Sequence, residues 1–204
     1  MSKNNFLETY YCKLRDALDA SEASFIFNKD RSHNSTIMRF MFDNSQEVLM
    51  YCGSMSVFRN GFYKKIGTDE KVEDCEIISK EAKDNLLKSM RSFFEKKDAR
   101  LNVILENYDP SYLDDLIDAP LFKENVEKGS LKICKLDDSF TFKKKLSHFS
   151  SSDKNIVRLE QDKIEHSAVC ILNDENLQES SKKLFNKLSE VATPVEWPKQ
   201  NLVL

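Results

Sequence analysis

The stretch "LSHFSSSDKNIVRLE" (residues 146–160) places one histidine, His148, in a serine-rich, glycine-free loop just before an extended run. An imidazole there can serve as nucleophile or general acid/base, because it is half-protonated near neutral pH. It can equally be a surface or hydrogen-bonding histidine. Catalysis on a phosphate would need a cation for the developing charge and a carboxylate to orient the ring. Lys143, Lys144 and Lys145 are close by, although lysine runs usually form a solvated face. "IVRLE" sets Arg158 and Glu160 two residues apart, on the same side of a strand. They can pair with each other or with the opposing strand. Together with His166 on the next strand, they could also supply a Glu–His or Arg–His arrangement.

Working outward, residues 5–20 carry Phe6/Leu7, Tyr10/Tyr11, Leu14 and Leu18 at spacings of three and four, the pattern of an amphipathic helix. A short apolar strand or turn (25–27) and a polar loop precede a helix carrying Ile37, Met38, Phe40 and Met41. "EVLMYCG" (47–53) reads as a buried strand ended by Gly53. Residues 79–97 form a helix with Ser79 as its cap, and Leu86, Leu87, Met90, Phe93 and Phe94 make its apolar face. "LNVILENYDP" is a second buried strand. Ser111 and Asp114 open another helix, which breaks near Pro120 and closes at Gly129. "LKICKL", "IVRLEQD" and "SAVCILND" are three further strands. Asp174 caps a last helix, and residues 193–204 form an extended tail.

From the helix carrying Ile37 onward, the order is helix, strand, helix, strand, helix, then three strands and a helix. Repeated β–α–β steps predict an α/β fold with a mostly parallel mixed sheet and helices on both faces. Without an internal repeat or linker, residues 1–204 are expected to make one domain, with an N-terminal helix in 1–23. Ligands of such sheets bind beyond the carboxyl ends of the strands. Those ends are "GSMS" (53–56), "ENYD" (106–109), "DDS" (137–139) and the loop around His148.

The formal net charge of -3 makes no global electrostatic case for nucleic acid or anionic membrane, but it leaves room for local basic patches. The opening "MSKNNFLETYY" has no apolar core of signal-peptide length, and no apolar run approaches the roughly 20 residues that span a bilayer. Five scattered cysteines without a CxxC predict free thiols in a reducing cytosol, and neither a disulfide framework nor a zinc site. No metal or other cofactor is expected.

"NVILENYD", "VEKGSLKICKL", "SHFSSSDKNIVRLE" and "SAVCILNDENLQESSKKLFNKL" together resemble the phospholipase D-like superfamily, over most of residues 40–192. That resemblance implies an H-x-K-x4-D motif on a strand–turn–strand. It also implies a homodimer that builds its active site from two single-motif chains. His148 falls where the family has its nucleophilic histidine. Ser150 stands in place of the lysine and Asn155 in place of the aspartate, while Asp153 and Lys154 carry the right chemistry at the wrong spacing. The resemblance therefore implies the fold and argues against ordinary phosphodiesterase activity. The company such degenerate domains keep suggests a bacterial multi-gene system such as phage defence. The alternative is a homodimeric, metal-independent nuclease using His148, with Arg158, Lys154 or a basic residue of 58–65 replacing the lysine.

Two other stretches could bind a phosphate-containing ligand. In "FNKDRSHN" (27–34), Arg31 and His33 could line an anion pocket, or the segment is a turn with Ser32 or Asn34 capping the next helix. In "YCGSMSVFRNGFYKK" (51–65), Ser54 and Ser56 follow a buried strand. Arg59, Lys64 and Lys65 interleave with Phe58, Phe62 and Tyr63, which suits a nucleotide or single-stranded nucleic acid. The same segment could be a strand end followed by a packed loop. No dinucleotide or P-loop pattern occurs.

Overall fold

The computed structural model describes residues 5–28, 31–69, 75–140, 145–162 and 167–197. Asp30, Lys143, Lys144 and His166 lie outside them. The elements in chain order are α1 (Asn5–Asp19), β1 (Ser24–Asn28), α2 (Arg31–Asn44), β2 (Glu47–Cys52), a 3-10 turn (Ser56–Phe58), α3 (Asn60–Asp69), α4 (Cys75–Glu95) and β3 (Arg100–Leu105). They continue with α5 (Ser111–Asp114), α6 (Ala119–Lys128), β4 (Leu131–Leu136), β5 (Phe149–Ser152), β6 (Ile156–Asp162), β7 (Ser167–Leu172), α7 (Glu175–Val191) and β8 (Ala192–Pro194).

The eight strands among the described residues join one sheet in the order β1-β7-β6-β5-β2-β3-β4-β8. It is mixed, with the parallel part confined to β2–β3–β4. These are the strands linked by helical crossovers, which parallel pairing requires. The other pairings are antiparallel, because β5, β6 and β7 follow one another through short turns while β1 and β8 close the two edges. The sheet is thus less parallel than the β–α–β count suggested.

Strand alternation divides the core. Val48, Met50 and Cys52 of β2, with Leu101, Val103 and Leu105 of β3, face a large cluster that α1, α2, α4 and α6 complete through Leu14, Phe40, Phe93 and Phe122. Leu49, Tyr51 and Ile104 point the other way, onto Phe185 and Leu188 of α7. One period-two pattern therefore supplies both layers.

Local chemistry sets several boundaries. Asp174 and Asp118 accept hydrogen bonds from Leu177 N and Leu121 N, capping α7 and α6. Gly129, at φ 75°, ends α6. Ser79 is no cap, since α4 already begins at Cys75; its Oγ instead donates to Tyr63 O at 2.6 Å and ties α4 to α3. The expected loop after Gly53 contains the 3-10 turn and α3. Part of the expected tail is β8, whose Pro194 sits on an edge strand, where a missing N–H is tolerated.

Candidate functional site

Three strand ends meet at His148. Glu106, just past β3, donates its backbone N–H to Cys52 O at 2.8 Å, and Asn107 N–H reaches Gly53 O at 3.0 Å. Glu106 is thereby held beside the end of β2. The β5–β6 hairpin pairs Phe149 with Leu159, and Glu160 N–H donates to His148 O at 2.9 Å, which sets Glu160 opposite His148. The result is an imidazole between two carboxylates. Nδ1 lies 2.5 Å from Glu160 Oε2, and Nε2 lies 2.5 Å from Glu106 Oε2.

All three side chains are nearly buried, at 13% exposure for His148, 8% for Glu106 and 11% for Glu160. An imidazole donates from both nitrogens only when protonated. The geometry therefore holds an imidazolium between two carboxylates, or a neutral ring with one carboxyl carrying the proton. The Tyr51 ring meets His148 edge-on at 5.5 Å, and burial followed by the Glu106 charge pushes its phenol well above the ordinary value. Gly53 makes the close approach available, because a Cβ there would stand 3.1 Å from His148 Cε1.

Behind the histidine is a cavity of about 60 Å³ lined by Asn34, Cys52, Ser150, Arg158, His148 and Glu160, among others. The Arg158 Nε donates to Asn34 Oδ1 at 3.0 Å, and Asn28 Nδ2 donates to the same oxygen at 2.6 Å. Burial lowers the Arg158 pKa, while the Glu160 charge acts the other way. Ser150 pairs with Arg158 across the hairpin. Its Oγ is buried and has no hydrogen-bond partner among the described residues. Burial pushes the thiol of Cys52, in the same wall, up to about 12.

In front of the histidine opens a cavity of about 340 Å³ lined by Arg31, Gly53, Ser54, Ser56, Arg59, Gly61, Phe62, Asp115, His148 and Glu160. Arg59 lies 4.1 Å above the Tyr112 ring, and its Nε donates to Asp115 Oδ2 at 3.3 Å. The same carboxylate oxygen accepts from Gly61 N–H at 3.2 Å.

Of the residues singled out in the sequence, the structure brings together His148, Glu160, Arg158, Ser54, Ser56, Arg59 and Arg31. Others it places elsewhere or in structural roles. His33 packs edge-on against Phe6 and Tyr10, at 4.9 and 4.3 Å, because helix α2 turns it away from Arg31. Lys154 is exposed in the β5–β6 turn, at the far end of β5 from His148. The four residues of β5 alone put roughly 13 Å between them, with Lys154 at the surface beyond. Asp153, in the same turn, accepts from Gln46 N–H and Glu47 N–H at 3.0 and 3.1 Å. Asn155, at φ 53°, takes the left-handed turn position that asparagine tolerates. Ser32 and Asn34 lie inside α2, after its first residue Arg31, while Lys64 is exposed at the surface.

Glu106 and Asp115 were not singled out from the sequence. "ENYD" did mark a ligand-binding strand end, but nothing in its spacing tied Glu106 to a histidine 42 residues away. Among the described residues, no group of three or more His, Cys, Asp or Glu side chains is arranged to hold a metal ion. No helix among them is long and apolar enough to cross a membrane.

The mixed sheet, with a histidine at the start of the β5–β6 hairpin and the long helix α7 after β7, is a phospholipase D-like fold. Among solved structures, the chain is similar to Nuc from Salmonella typhimurium, a phospholipase D family member, at 11% identity and a TM-score of 0.51, over 86% of this chain and 99% of that one. It is also similar to TrmBL2, described as an archaeal chromatin protein with a novel mode of DNA binding, at 14% identity and a TM-score of 0.52, over 94% of this chain. The match spans 65% of TrmBL2. No family model and no curated protein matches the sequence.

Proposed function

We propose that this chain is a non-catalytic phospholipase D-like protein that binds a phosphate-containing ligand, nucleic acid or nucleotide, at the rim of the larger cavity. The observation that carries this is the engagement of both His148 ring nitrogens by carboxylates at 2.5 Å. A histidine that attacks phosphorus must aim a nitrogen lone pair at it. Here each nitrogen is engaged by a carboxyl oxygen instead. A phosphodiester brought to within about 4 Å of one carboxylate would also meet a repulsion of roughly 4 kcal/mol at an effective dielectric of 20. With serine and asparagine in the lysine and aspartate positions of the implied motif, neither position offers a cation to offset this. The rim differs: Arg31, Arg59, Ser54 and Ser56 offer cations and hydroxyls, and Phe62 offers a stacking surface. The description of TrmBL2 as a DNA-binding chromatin protein supports a nucleic-acid ligand. A place in a bacterial defence system, with homodimers as the working form, fits this role.

The competing reading is a metal-independent nuclease. It is favoured by Arg158, a cation sharing the inner cavity with His148 where the lysine is missing. One experiment separates the two. Purified protein is incubated in chelator with labelled single-stranded DNA and with bis(p-nitrophenyl) phosphate, and binding is followed in parallel by anisotropy across a salt series. Binding that weakens with salt, without cleavage and with His148→Ala binding as tightly, supports the binding role. Cleavage abolished by His148→Ala in a folded protein replaces it with the nuclease.

A further inference from the structure

One wall of the larger cavity is fixed from several sides. The segments 58–60 and 115–117 are joined by hydrogen bonds from Asn60 N–H to Asp115 O at 2.8 Å and from Ile117 N–H to Phe58 O at 2.9 Å. The Asn60 side-chain amide adds bonds to Asp115 O and Leu116 O at 3.2 and 3.1 Å. On this frame Asp115 Oδ2 accepts from both Arg59 Nε and Gly61 N–H. A Cβ at Gly61 would stand 3.1 Å from that oxygen, so the approach needs glycine. Two donors fill the lone pairs of Oδ2. Oδ1 accepts no hydrogen bond among the described residues, and the Asp115 side chain lines the cavity at 31% exposure. Arg59 is held as firmly, between Asp115 and the Tyr112 ring. Arg59 lines the cavity and Tyr112 does not, so the ring backs the guanidinium from outside the wall. A planar cation covered on one side offers its other face to a second flat π-system.

We propose that this wall reads an unpaired nucleobase, which stacks on the cavity face of Arg59 and donates from its exocyclic amine to Asp115 Oδ1. The inference rests on the phosphate-binding reading above and adds base selectivity to it. The phosphate of the same ligand has Arg31, Ser54 and Ser56 in the same cavity, whose volume of about 340 Å³ suits a small-molecule site. Stacking by itself tolerates any base, because every base has a π-face. The carboxylate does not. Cytosine, adenine and guanine carry an amine on the edge used for pairing, and that edge is free only in an unpaired base. Uracil puts a carbonyl oxygen where cytosine has its amine. An oxygen facing Oδ1 is repelled, and the carboxylate oxygen that has left water is then without a donor. The Asp115 carboxylate is thus a specificity-determining group, and Tyr112 is a positioning residue that acts through Arg59.

The test is fluorescence anisotropy of the full chain with short labelled oligo(dC) and oligo(dU) at neutral pH. The wild-type protein is expected to bind oligo(dC) about tenfold more tightly, the worth of one charge-assisted hydrogen bond. Asp115→Asn keeps the shape but offers a donor as well as an acceptor, so the two strands should then bind within about twofold of each other. Tyr112→Leu should weaken both strands by a similar factor and leave their ratio intact. Cytidine 5′-monophosphate should displace the strand at lower concentration than uridine 5′-monophosphate, and the concentration required tells a free nucleotide from a strand as the ligand. Equal affinity of the wild-type protein for the two strands overturns base reading and leaves the phosphate-binding role standing. Binding of neither strand overturns both. A preference that survives Asp115→Asn in a protein with an unchanged circular dichroism spectrum overturns the assignment to Asp115, and affinities unmoved by Tyr112→Leu overturn the stacking on Arg59.

Discussion

The two ends of the site are built on opposite terms. At the inner end, His148, Glu106, Glu160 and Arg158 are almost fully removed from water, and each is held by a neighbour in the sheet or in α2. At the rim, Arg59 is about a quarter exposed and its partner Asp115 nearly a third, and the surrounding loop carries two serines within the cavity wall. A buried ion pair is strongly destabilising to break, because the survivor is left uncompensated, whereas exposed pairs contribute about 0–1 kcal/mol. The inner end is therefore suited to hold the fold and the rim to meet a ligand.

Four experiments press on that difference. The largest effect is expected in alkali. The thiols of Cys52 and Cys170 are pushed from 9.0 up to about 12 by burial. A raised folded pKa means a contribution to stability that is intact below pH 9 and is lost as pH climbs through 12, because the unfolded thiols ionise first. Melting temperature followed from pH 8 to 12 should fall steeply above 9, and the Cys52→Ala/Cys170→Ala protein should show a flatter profile. An equal slope in both proteins would show that the inner end is wetter than the geometry implies.

Next is His148→Ala, which strands two carboxylates. Urea denaturation should show a loss of about 3 kcal/mol, while rim binding is unchanged. Gly53→Ala should cost about 1–2 kcal/mol, because the new methyl lies 3.1 Å from His148 Cε1 and the ring has to move. Displaced His148 ring resonances in NMR would report that movement, and unshifted resonances would contradict it. The smallest change in stability belongs to Arg59→Ala, under about 1 kcal/mol for a part-exposed pair. Its effect should appear instead in ligand affinity, with roughly a tenfold loss if one charge-assisted contact is removed. If Arg59→Ala destabilised the fold as much as His148→Ala, the division between the two ends would fail.

Much of the architecture was legible in the chain. The apolar runs at 47–52, 100–105, 131–136, 156–162 and 167–172 are strands, and Asp174 and Gly129 act at helix ends as their chemistry predicts. His148 and Glu160 could be picked out because a hairpin is local: twelve residues and one tight turn bring them face to face. The extent of parallel pairing was not legible, since the sequence names strands but does not say which becomes the neighbour of which.

Read along the chain alone, the residues yield the set of elements and put Ser150 and Asn155 where the motif implied by the resemblance would carry a cation and an anion. Those are properties of side chains and of local periodicity. Only the tertiary structure decided that Glu106 closes on the second nitrogen of His148, that Lys154 is carried to the far end of β5, and that Arg158 is buried against Asn34. The pairing of β3 beside β2, and of β5 on β2's other side, brings residues 42 positions apart within 2.5 Å. Spacing along the chain cannot encode that distance, because it is set by the order in which strands add to the sheet.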